Sequence, residues 1–142
     1  MALITDIADA VVTELAAGSF SLPFTPERRV LPVFDLPDLK GLHVTVVPRG
    51  VEIAGASRSM STHDVRIDIG IQKKLGTDLD AEVAELCGLA DEIAAYLHRR
   101  RLADVPTASW VRTANEPVYA PEHLAEKRLF TGVLTLTYRV VK

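Results

Sequence analysis

Apolar and polar residues alternate along the last stretch of the chain, Arg128-Leu-Phe-Thr-Gly-Val-Leu-Thr-Leu-Thr-Tyr-Arg-Val-Val141. Phe130, Leu134, Leu136, Tyr138 and Val140 fall on one side; Thr131, Thr135, Thr137 and Arg139 fall on the other. A period of two predicts a β-strand with one buried and one wetter face, longer than the usual ~5–6 residues. The same period marks a strand at 65–71, with Val65, Ile67, Ile69 and Ile71 inward and Asp64, Arg66, Asp68 and Gln72 outward. Leu42 to Val47 predicts a further strand, closed by Pro48-Arg49-Gly50, and Ser109 to Thr113 a short one carrying the only tryptophan. Between the strands, Glu52 to Thr62 is rich in Ala, Gly and Ser. That composition predicts a loop longer than the ~2–5 residues of ordinary hairpins.

Helical spacing appears twice. Ile4, Ile7, Ala8, Val11, Val12 and Leu15 form one stripe over Leu3 to Ala17, with Thr5 or Asp6 as candidate start caps and Gly18 as the stop. Leu79, Val83, Leu86, Ala90, Ile93 and Leu97 form the second, over Asp78 to Leu102. Thr77 is the expected cap there, with Asp80 as the capping-box acid. Acids early in this helix and His98, Arg99, Arg100 and Arg101 late match the helix dipole. A single helical turn is expected at Glu122 to Lys127. Pro23, Pro26, Pro32 and Pro37 punctuate Ser19 to Lys40 and rule out a central strand or helix. The segment predicts an extended arm with an edge strand near Arg29 to Phe34 and a turn over 35–41. Its apolar residues Phe20, Leu22, Phe24, Val30, Val33 and Phe34 are expected to pin it to a surface of this chain or a neighbour.

The order α-β-β-β-α-β-β predicts a two-layer α+β fold, with a mostly antiparallel sheet of four to five strands and two helices on one face. The Thr, Arg and Asp side of the sheet is then left to solvent or a partner. The 142 residues fit one domain, 48% hydrophobic content supports a core, and a net charge of −3 lacks the basic excess of a dedicated nucleic-acid binder. One cysteine, Cys87, rules out an intrachain disulfide and reads as a small buried hydrophobe. The acidic start is unlike a signal peptide, and no apolar run reaches membrane-spanning length.

Catalytic chemistry finds little support. His43, His63, His98 and His123 show no metal-ligand spacing. Asp64 and Asp68 share a strand face with Arg66 between them, which suits cross-strand ion pairs; a small metal-dependent nuclease is the enzymatic alternative. Arg99 to Arg101, joined by Arg28 and Arg29, could meet phosphate, but no aromatic ladder accompanies them. Neither catalytic residue, cofactor nor metal is expected.

Taken in order, several segments resemble a known group: the helix Ile4 to Leu15, Arg28-Arg-Val-Leu-Pro-Val-Phe-Asp-Leu-Pro-Asp38, Arg66-Ile-Asp-Ile-Gly-Ile-Gln-Lys-Lys74, and Trp110-Val-Arg-Thr with Tyr119-Ala-Pro-Glu-His-Leu124. With the last strand, they resemble the tail terminator (tail completion) proteins of long-tailed phages and prophages. The resemblance implies a structural, non-enzymatic virion protein at the tail-head junction, assembled in the bacterial cytoplasm. It implies a ring, usually hexameric, that ends tail-tube polymerisation, meets the tail tube protein and a head-tail connector or stopper protein, and passes DNA through its lumen without a membrane. A neck or head-closure role in the same region is the alternative. The candidate contact residues are Thr131, Thr135, Thr137, Arg139, Arg28, Arg29, Arg58 and His63, with the 52–62 loop and the proline-rich arm as contact segments.

Overall fold

The computed structural model describes residues 2–30, 41–116 and 118–142. Residues 31–34 of the expected edge strand, with Pro32, Val33 and Phe34, and most of the expected 35–41 turn lie outside them, as does Pro117. The elements are α1 (Leu3–Ala17), β1 (Pro26–Arg28), β2 (His43–Gly55), β3 (Ser61–Lys74), α2 (Leu79–Leu97), β4 (Ser109–Asn115), α3 (Pro121–Lys127) and β5 (Leu129–Val141). The fold is α+β, with the strands in one sheet of order β1-β2-β3-β5-β4. Only the β1–β2 pair is parallel. β1 lies at an edge and begins with Pro26, where a missing N–H costs no ladder bond.

β3 and β5 form the centre. Their register runs unbroken from Thr62 opposite Val141 to Lys74 opposite Leu129. Even-numbered residues of β5 and odd-numbered residues of β3 therefore share one face, and the helices cover it. Ile67, Ile69, Ile71, Phe130, Leu136 and Tyr138 are fully buried there, packed with Ile7 and Val11 of α1 and Leu89, Ile93 and Leu97 of α2. Gly132 is required at its place on β5: a Cβ there would stand 2.7 Å from the Val118 carbonyl oxygen.

Several local expectations are corrected. Pro48-Arg49-Gly50 does not close a strand. It is a β-bulge, and pairing resumes with Gly50 opposite Arg66 and continues to Gly55 opposite Ser61. The expected 52–62 loop is therefore mostly hairpin, held because β5 supplies a ladder for β3 as far as Thr62. His63, which the sequence reads as a loop residue just past that segment, is a strand residue. The first helix starts at Ala2 without a side-chain cap; the Thr5 hydroxyl donates back to the Ala2 carbonyl (2.9 Å) instead. Asp78, not Thr77, caps α2 by accepting from the Ala81 N–H (3.2 Å), and Glu82, not Asp80, reaches back to the Gly76 N–H (2.8 Å). α2 stops at Leu97 rather than Leu102, where Arg99 takes a left-handed conformation (φ 55°) and Leu102 folds back into the core.

Candidate assembly surface

α1 and α2 lie on the first face of the sheet; on the second, α3 reaches only the Thr131 end, where Thr45, Val47 and Gln72 are also buried, and the rest of the face is polar. The pleat brings Glu52, Asp64, Arg139 and Ser109 into one cross-strand row, Arg66, Thr137 and Arg112 into the next, and Asp68, Thr135 and Ala114 into a third. The β2 bulge adds Arg49 to the same side, where bulges commonly re-aim a side chain. All of these except Ser109, Asp68 and Arg139, together with Glu116, border a shallow depression of about 460 Å³.

Across this face, opposite charges are largely paired. The Arg139 guanidinium grips both carboxylate oxygens of Asp64 (2.8 and 3.0 Å). That contact holds the Asp64 carboxyl below its ordinary range, against a smaller opposing effect of burial. The Thr135 hydroxyl donates to Asp68 (2.8 Å) and accepts from Arg49 (3.1 Å), which lies 3.5 Å from the same carboxylate. Arg66 makes a longer contact with Glu52, at 3.5 Å. Arg112 and Glu116, at the β4 edge, make no hydrogen bond or salt bridge among the described residues. Thr137, between Arg66 and Arg112, is only 4% exposed because the two long side chains flank it.

Thr135, Thr137 and Arg139 thus lie together as the alternation predicts. The other candidates are dispersed. Thr131 sits on the same face farther along β5, bonded to His123 of α3 (3.0 Å). His63 projects to the opposite, helix-bearing side, beside Ile53 and Val140. Arg28 pairs with Asp9 of α1, and Arg29 with Glu27 (3.0 Å), both at the β1 edge. Arg58 lies in the exposed turn of the β2–β3 hairpin.

The alternative chemistries gain no geometry. Asp64 and Asp68 are four residues apart on an extended strand, about 13 Å along its axis, too far to ligate one ion. Each is already engaged by its own partner. Of the arginine run, Arg100 is a structural clasp. It donates to buried Glu14 (2.7 Å) and stacks on the Tyr96 ring (4.0 Å), while the Tyr96 hydroxyl donates to the Glu14 carbonyl (2.7 Å). The sequence reading missed this clasp. Its one local signal is an acid on the buried stripe of α1, three residues after Val11. Burial raises the Cys87 thiol above its ordinary range, which disfavours the reactive thiolate. None of the described helices is long and apolar enough to cross a membrane.

The hairpin end of the sheet is unlike the rest. β1 pairs with β2 only over Val44–Val46. Beyond Val46, no described strand pairs with the outer edge of β2, and Val51 (41%) and Ile53 (63%) stand exposed there. No protein-family model and no curated protein matches the chain.

Proposed function

We propose that this chain is a structural assembly protein of the tail-terminator kind: a ring-forming subunit that caps a phage tail tube, ends its polymerisation and presents a surface for head joining. One observation carries the reading. A long, well-packed sheet leaves the hairpin half of its second face, with ordered, charge-balanced side chains, and stretches of two strand edges without cover from the chain's own described elements. Monomeric proteins usually blunt such edges, and a surface of rigid, paired charges suits specific contact more than solubility alone. The resemblance of the ordered segments to tail completion proteins supplies its kind.

The test is the mass of the protein in solution, alone and with tail tube protein. A discrete ring-sized species, formed alone or on tube ends, is expected. A chain that stays monomeric at high concentration and neither binds nor caps tubes overturns the reading. Binding to a head connector with no binding to tubes moves the chain to the neck role.

A further inference from the structure

β2 is antiparallel to β3, β3 to β5, and β5 to β4. The two outer strands at the hairpin end, β2 and β4, therefore run in opposite directions. If one copy is placed beside another with the same face outward, β4 of the first meets β2 of the second as an antiparallel pair. Such head-to-tail contact closes into a ring where the rotation between copies allows it. Pro48 lacks the N–H that a ladder needs, so it confines new pairing to the part of β2 beyond it.

Resting on the ring-forming reading above, we infer that neighbouring copies join edge to edge through 50–52 of β2 and 112–114 of β4, with Glu52 opposite Arg112; the β4 bulge between Trp110 and Arg112 ends the regular pairing there. The charges select this register. Glu52 and Arg112 both lie on the polar face, as do Gly50 and Ala114, while Val51 and Thr113 lie on the other. Continuing along the pair, the bulged Arg49 comes alongside Glu116. Arg112 and Glu116, which find no salt-bridge partner among the described residues of their own chain, each gain one. The exposed Val51 is covered by the incoming Thr113. The isologous alternative, β2 against β2, would leave Arg112 and Glu116 unpaired and the β4 edge bare.

Charge reversal and cross-linking test the register. Glu52→Arg and Arg112→Glu are each expected to weaken self-association at least tenfold by sedimentation, with an unchanged circular dichroism spectrum because both side chains are exposed. The double variant Glu52→Arg/Arg112→Glu is expected to regain most of it. In a Cys87→Ser background, a mixture of Glu52→Cys and Arg112→Cys chains should give disulfide dimers on oxidation that neither chain gives alone; this arm holds even if a charge variant folds poorly. Dimers from Glu52→Cys alone would establish the isologous arrangement and overturn the proposal. Normal assembly by both reversed variants, with no mixed dimer, would overturn the register and leave the ring-forming reading standing. A native chain that never associates, with or without tube protein, overturns both.

Discussion

Neighbouring residues of β5 occupy two different media. Leu134, Leu136 and Tyr138 are sealed beneath α1 and α2, while Thr135 and Arg139, one position away, sit among arginines and acids on the open face. On the covered side the stabilising effects are desolvation and dispersion, which are large and need no particular partner. On the open side they are hydrogen-bonded ion pairs in water, individually weak and screened by salt. A strand built this way separates holding the fold from meeting a partner. Changes to one face should be felt in folding and changes to the other in association.

The largest effect should come from the covered face. Leu136→Ala removes a fully buried side chain from the middle of β5, opposite Ile67. A cost of about 2–5 kcal/mol in urea unfolding is expected, set by how far the site collapses. A loss below about 1 kcal/mol would mean that this face is not where stability resides. Next comes Thr135→Glu, which places a carboxylate against Asp68 and Arg49 on the open face. Losing the Thr135 hydrogen bonds should cost folding only about 1 kcal/mol. Association measured by light scattering should fall more steeply. If Thr135→Glu unfolds the chain while Leu136→Ala does not, the roles of the faces are reversed.

The two faces were not equally legible in the sequence. The covered face follows from periodicity alone: α1, the inward residues of β3 and the whole apolar side of β5 stand where the pattern places them, because which side of an element a residue takes is fixed by the local period. The open face depends on register, which periodicity does not carry. Asp64 meets Arg139 across 75 positions, and Thr135 meets Asp68 across 67. The far half of the hairpin was hidden for a related reason. Ala54, Gly55, Ala56 and Ser57 have little strand propensity of their own. Pro48-Arg49-Gly50 carries the residues of a turn but the geometry of a bulge, since β3 continues beside it and offers a ladder. His63 was misplaced because its strand identity comes from pairing with β5.

The open face should also answer to acid. Arg139 holds the folded Asp64 carboxyl below its ordinary range. The pair therefore contributes its stability above the ordinary carboxylate value and loses it as pH falls through the lower, folded value. Asp64→Asn should melt slightly below the native chain at neutral pH, and the difference should vanish in acid. High salt should shrink the same difference, because the pair is accessible to ions. A gap that persists in acid and in high salt would mean that Asp64 acts through packing, which would blur the contrast between the faces.

The smallest effect is expected at a polar atom that the covered face conceals. The Tyr138 hydroxyl is buried with no hydrogen-bond partner. Burial, aided by the nearby Glu14 charge, pushes the phenol upward from its ordinary range, so it stays protonated wherever the chain is folded near neutrality. An unpaired buried hydroxyl adds desolvation cost without a compensating bond, while the ring supplies the packing. Tyr138→Phe keeps the ring and removes the oxygen, so stability should be unchanged or raised, within about 1 kcal/mol of the native chain. The contrast with Leu136→Ala, two residues earlier on the same face, is the sharpest form of the comparison, because one substitution removes apolar contact and the other removes only polarity. A Tyr138→Phe chain destabilised as much as Leu136→Ala would show that the covered face is held by a polar contact at its centre, for which an enclosed water is the natural partner.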